Sequence, residues 1–123
     1  MPPKRNLTRQ HSRYRGPTAS GRKGGLVVLP RDGCSLPVPS MPAGDWTAAE
    51  QERWIEVWES PQASQFDDAS AVTVAVMIRY EGLLLTGKGT AWVAAEWRHA
   101  TESLGLTPKA MAALGWVLED DSQ

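Results

Sequence analysis

Residues 82–88, GLLLTGK, match the first seven positions of a phosphate-binding loop, in which backbone amides and a lysine cradle phosphate groups. The eighth position should be Ser or Thr, to hold magnesium, and here it is Gly89. The middle residues are mainly leucines, which suit burial better than contact with phosphate. Too little chain follows Gly89 for the βα units of a nucleoside-triphosphatase sheet. A glycine turn inside a helical hairpin is the expected structure. His11 and His99 are the only histidines and Cys34 the only cysteine. No metal-ligand spacing follows from three such scattered residues, and no cofactor is expected. A lone cysteine forms no intramolecular disulfide and points to a reducing compartment. Asp67-Asp68 has the composition of a catalytic carboxylate pair, but its position suits an N-cap for the helix that follows. Asn6-Leu7-Thr8 fits a glycosylation sequon, and nothing else in the sequence marks the chain as secreted.

The strongest chemical signal is charge. Lys4, Arg5, Arg9, Arg13, Arg15, Arg22, Lys23 and Arg31 all fall in the first 31 residues, where there is no Asp or Glu. All 14 acidic residues of the chain come later, so the overall charge of −1 combines a strongly basic start with an acidic remainder. Such a start fits an anionic partner, and these eight residues are the candidate DNA contacts. Arginines spaced through Gly, Ser and Thr can follow a line of phosphates, each contact releasing a counterion. Guanidinium groups bind phosphate bidentately, and Tyr14 can stack on a base.

The elements around these residues follow in chain order. Residues 1–25 lack apolar periodicity and are expected to be disordered when unbound. Residues 26–46, LVVLPRDGCSLPVPSMPAGDW, contain four prolines, which favour extended chain lying over the body, anchored by Leu26, Val27, Val28 and Leu29. Thr47-Ala-Ala-Glu50 is a capping box that opens a helix, Trp54 and Trp58 share one face of it, and Ser60-Pro61 ends it. Residues 69–85 are ambiguous locally. Val72, Val74, Val76, Ile78 and Tyr80 alternate as in a strand, yet with Ala71, Ala75 and Met77 the window also reads as a helix apolar on most sides. TGKGT at 86–90 is a turn, and 91–104 an amphipathic helix with a C-terminal glycine, Gly105. Thr107-Pro108 starts a last helix, with Leu106 and Met111 spaced as a hydrophobic staple and Trp116 pinning its end. Residues 119–123 form an acidic tail. The apolar stretch near residues 71–78 is too short to span a membrane, and no secretory leader is expected.

Several phrases recur together in one known family: the lead "LPVPSMP", the helix "WIEVWESPQA", the apolar "VAVMIRY" and the closing "AAEWRHATESLGLTPKAMAALGW". In this order, the lead just before Trp46 and the other three between Trp46 and Leu118, they resemble the small terminase subunits of tailed bacteriophages, especially phages of actinobacteria. The ending is the most specific part, carried by Leu104, Gly105, Leu106, Thr107, Pro108, Met111, Leu114 and Trp116. Phe66 stands where many relatives place a Trp, and the basic arm matches no motif. The resemblance implies an all-α, ring-forming homo-oligomer: a short N-terminal helix, a central antiparallel hairpin of 69–85 with 91–104, and a short C-terminal helix, together spanning residues 47–118. Small residues such as Ala71, Ala75, Ala91, Ala94, Ala95 and Ala100 would let these helices approach closely. The expected oligomer and core residues are Trp54, Trp58, Val72, Ala75, Val76, Tyr80, Trp92, Leu104, Leu106, Met111, Leu114 and Trp116. The implied activity is non-enzymatic. Such a protein binds double-stranded phage DNA in the host cytoplasm and hands it to the large terminase subunit, which carries the ATPase and nuclease. Two rival classes are a helix-turn-helix regulator and a structural or adaptor virion protein that binds no DNA.

Overall fold

A computed structural model describes residues 22–23 and 26–120. Four helices carry most of this chain: α1 (Ala48–Trp58), α2 (Ser70–Leu85), α3 (Ala91–Ser103) and α4 (Pro108–Leu114), with a 3-10 turn at Pro61–Gln65. Their ends are set locally, as the sequence suggests. Thr47 Oγ1 accepts the Glu50 amide at 3.0 Å, and the Thr47 amide donates to Glu50 Oε1 at 2.9 Å, closing the capping box. Ser60 precedes the 3-10 turn, with Pro61 at its first position. Asp67 Oδ1 accepts from both the amide and the hydroxyl of Ser70 in the turn that leads into α2, but the N-cap position is Ala69 and carries no side-chain cap, so neither Asp67 nor Asp68 is the N-cap the sequence suggests. Thr90 and Thr107 are the N-caps of α3 and α4, their hydroxyls accepting the Val93 and Ala110 amides.

Residues 70–85 are helical, which resolves the local ambiguity. β-branching favours a strand, but here tertiary packing decides: Val74, Ala75, Met77 and Ile78 are buried against α1 and α3. α2 and α3 form an antiparallel pair, since Tyr80 meets Trp92 and Glu81 meets Trp97 on either side of the turn. At the end of α2 the Lys88 amide donates to Leu83 O and the Gly87 amide to Leu84 O, a Schellman closure with Gly87 at φ 80°.

The core lies where α1, the 3-10 turn and the α2–α3 pair meet. Trp58 is fully buried between Trp54 (centroids 5.5 Å apart) and Phe66 (5.3 Å, edge to face). Phe66 thus fills an aromatic position in this cluster. The proline-rich segment is fastened to it through indole groups: Trp54 Nε1 donates to Pro39 O at 2.7 Å and Trp46 Nε1 to Pro42 O at 2.8 Å.

The all-α expectation needs one correction. The fold is mostly helical, but three strands form a small mixed sheet in the order β1 (Arg22–Lys23), β2 (Leu26–Leu29), β3 (Trp116–Leu118). β1 pairs antiparallel with β2, and β3 pairs parallel with it, Val27 opposite Trp116 and Leu29 opposite Leu118. The last helix therefore stops at Leu114 rather than continuing to 118. Gly115 is the reason: it takes φ 76°, its amide closes the helix onto Met111 and Ala112, and the chain leaves extended. Val27 and Leu29 are buried by this arrangement, whereas Leu26, expected to be an anchor, is exposed.

A charge network centred on the buried Glu50 carboxylate, with its arginines reaching the surface, joins α1 to α2. Glu50 accepts from Arg79 Nε at 2.8 Å, and Arg79 lies 4.2 Å over the Trp46 ring while donating to Asp45 O. Arg53 pairs with Glu81 at 2.9 Å, and Trp97 Nε1 donates to the same carboxylate. Burial pushes the Glu50 carboxyl up, but the Thr47 amide, Arg79 and the Thr47 hydroxyl outweigh it and hold the group below its ordinary value. A lowered carboxyl stabilises the fold above its unfolded value and loses that contribution as pH falls through the folded value. The melting temperature is therefore expected to fall once the pH drops below about 4.5. Glu50→Gln should flatten this part of the pH profile, which thermal melts across pH 3 to 7 would measure (roughly the carboxyl titration range).

Candidate nucleic-acid interface

The sheet is where the basic arm joins the body. Arg22 and Lys23 make up β1, and their register with Val27 and Leu26 fixes the root of the arm against the edge of β2. Two glycines, Gly24 and Gly25, separate the paired residues, a composition suited to a two-residue hairpin loop. Lys4, Arg5, Arg9, Arg13 and Arg15 lie outside the described residues, as does Tyr14.

Arg31, also a candidate DNA contact, is engaged with the other end of the chain. Its amide donates to Glu119 Oε1 at 3.2 Å and its Nε to Glu119 O at 2.8 Å. The Glu119 amide donates in turn to Leu29 O at 2.8 Å. This clasp extends the β2–β3 ladder by one step and gives Arg31 a structural role. Sequence reasoning assigned no role to Glu119, because nothing local links it to a residue 88 positions away.

The expected oligomer and core residues divide into three groups. Trp54, Trp58, Ala75 and Leu104 are buried. Tyr80, Leu106, Met111 and Trp116 are half-buried. Val72 (64 % exposed), Val76, Trp92 (61 % exposed) and Leu114 face outward. Val72 and Val76 are one turn apart on α2. Tyr80 is a further turn on, with Trp92 of α3 edge to face against it at 5.9 Å. The result is an apolar stripe running from one helix onto the next. Exposed apolar residues that are contiguous, rather than scattered, mark a surface fitted for contact with another protein.

The phosphate-loop match does not survive folding. Gly82 to Leu85 form the last turn of α2, and the Gly87 and Lys88 amides donate back into that helix. A side chain at Gly89 would collide with Leu84. The Thr86, Gly87 and Lys88 amides, which a phosphate would need, already have partners. His99 is exposed and lies 3.8 Å from Glu96 on the same helix, and His11 lies outside the described residues. Cys34 is half-buried, its amide donating to Glu59 O at 3.0 Å. Among the described residues no group of three or more His, Cys, Asp or Glu side chains could hold a metal ion. Among them, too, no helix is long and apolar enough to cross a membrane.

Sequence reasoning also passed over Arg53, Arg79 and Glu81, whose pairing across α1 and α2 has no signal in the spacing of either helix alone. Compared with family models, with curated proteins and with solved structures, the chain shows no match.

Proposed function

We propose that this chain is a DNA-packaging factor of the small-terminase type. It binds double-stranded DNA through its basic arm, assembles with copies of itself, and presents the DNA to a large subunit that carries the ATPase and nuclease, in the cytoplasm of an infected bacterium. The observation that carries this reading is the segregation of charge: eight cations and no carboxylate precede Asp32, and the strand Arg22–Lys23 roots them on an acidic, mostly helical body. The order of phrases from Trp46 to Leu118 supports the family. The exposed stripe of Val72, Val76, Tyr80 and Trp92 supplies a face for assembly. A ring would gather many arms around one duplex and turn weak single contacts into avidity.

A helix-turn-helix regulator fits less well. α3 and α4 do meet at a tight glycine corner, but α4 is seven residues long and its exposed positions are Pro108, Lys109, Ala112, Ala113 and Leu114. One basic residue among them offers little to a base edge. An adaptor that binds no DNA would use the same exposed stripe, and the test separates the two. Replacing Lys4, Arg5, Arg9, Arg13 and Arg15 with Gln leaves β1 in place. If about four of these residues engage phosphates, the slope of log affinity against log salt should become shallower by about 3 to 4, with the oligomer mass unchanged. Mass photometry and a duplex titration at several salt concentrations measure both. Binding and slope unaltered by the substitutions would remove the arm from the interface, and no salt-sensitive binding by the native chain would favour the adaptor.

A further inference from the structure

Between α1 and α2 lies an open groove of about 330 Å³, beside the last turn of α2. Ala49 on α1 and Ile78, Gly82 and Leu85 on α2 give it an apolar lining. Gly82 keeps it open. This residue sits inside a helix, where glycine is less favourable than alanine, and its backbone does not call for one, since its φ is not positive. Nor does packing: outside its own helix backbone, a Cβ there would meet Glu50 Oε2 at 3.6 Å, an ordinary contact. Two ion pairs wall the groove, Arg53 with Glu81 and Arg79 with Glu50. Both already hold indoles of this chain, because Arg79 lies over the Trp46 ring and Glu81 accepts from Trp97 Nε1.

The group that matches this groove is Trp92. Of the six tryptophans it alone is exposed. It stands in the first turn of α3, and the edge-to-face contact with Tyr80 holds its ring in place. It does not reach the groove of its own chain. Tyr80 and Gly82 are two residues apart on α2, roughly 200° around the helix, so Trp92 and the groove lie on different flanks of it.

We propose that the α1–α2 groove receives Trp92 of a second copy of this chain. The proposal rests on the self-assembly part of the reading above and names where the exposed stripe docks. Chemical complementarity supports it. The ring of Trp92 meets the apolar lining and the arginine guanidinium groups, which attract its π face, while Nε1 finds a carboxylate acceptor in the same walls. The walls already make both kinds of contact with Trp46 and Trp97. Knob and groove are different places on one surface, so each copy offers one of each. The contact can therefore repeat from copy to copy and close into a ring. A tryptophan seated in a pocket carries a large share of an interface's affinity.

Analytical ultracentrifugation of the full chain tests this. Trp92→Ala removes the knob and Gly82→Leu fills the groove. Each should weaken self-association by about thirtyfold or more, the scale of an interface hot spot. Circular dichroism checks that both variants fold. Ala49→Leu, at an exposed position on the α1 side, fills the groove without touching α2 and takes the place of Gly82→Leu if that variant does not fold. The decisive measurement is a mixture. Trp92→Ala keeps an intact groove and the groove-filled variant an intact knob, so mixing them in equal amounts should give pairs of one copy of each, which neither forms alone. Self-association by Trp92→Ala as strong as that of the native chain would overturn the docking and leave self-assembly standing. So would the absence of mixed pairs from two folded variants. A native chain that stays monomeric at every concentration would remove self-assembly from the reading, and this contact with it.

Discussion

Gly105→Ala is expected to destabilise the fold by about 3 kcal/mol and to lower the melting temperature by about 12 °C or more. Two independent effects combine at this residue. Its φ of 69° lies in the left-handed region, where a side chain costs about 1–2 kcal/mol. That conformation lets the Gly105 amide donate to Glu102 O and the Leu106 amide to Thr101 O, closing α3 with a Schellman motif. A Cβ here would also overlap the Trp116 ring, with Cε3 at 2.6 Å, and press on Leu114 Cδ1 at 3.1 Å. A tryptophan so near the chain's end therefore lies against the back of a helix corner. A double-mutant cycle separates the two effects. In a Trp116→Ala background the overlap is largely gone and only the backbone strain remains, so the cost of Gly105→Ala should fall by about half. Additive costs would show that the ring does not rest on Gly105. Urea denaturation followed by circular dichroism measures all four proteins.

Trp58→Ala is expected to cost about 3–5 kcal/mol, enough to leave much of a marginally stable population unfolded at 37 °C. Trp58 is wholly buried and is touched by aromatic rings on two sides, Trp54 and Phe66. Truncation removes the largest fully buried side chain and leaves a cavity between α1 and the 3-10 turn that close-packed neighbours fill only in part. Trp92→Ala is the control. It removes a ring of the same size from an exposed position, so it should alter stability by less than about 1 kcal/mol while weakening any self-association through the α2–α3 stripe. A similar loss of stability in both variants would mean that burial does not distinguish the two tryptophans. Chemical denaturation gives the first comparison and mass photometry the second.

The contrast between these two tryptophans shows how far the sequence can be read. Both fall on apolar helical faces, and spacing alone puts both in the core or an oligomer without distinction. Trp54 and Trp58, one turn apart on a helix with a clear polar side, can be placed together on its inner face. α2 offers no such guide, because it is apolar on most sides. Only its packing against α1 and α3 turns Val74, Ala75, Met77 and Ile78 inward and leaves Val72 and Val76 outside. The interface residues show the same divide. The basic arm is legible as composition, whereas the clasp between Arg31 and Glu119 is not.

By itself the sequence determined several helix ends and corners of this protein: the Thr47–Glu50 capping box, the cap at Thr107, the glycine turn at 86–90, the closure at Gly105, and the charge contrast between arm and body. The caps and closures span only about four residues, so local chemistry suffices to specify them. The tertiary structure alone decided that Trp116–Leu118 is a strand beside Leu26–Leu29, that Arg22–Lys23 pairs with the other side of that strand, and that Arg31 belongs to the fold. Strand partners satisfy each other's backbone groups whatever their distance in the sequence, so three extended residues acquire a structure only when their neighbour arrives.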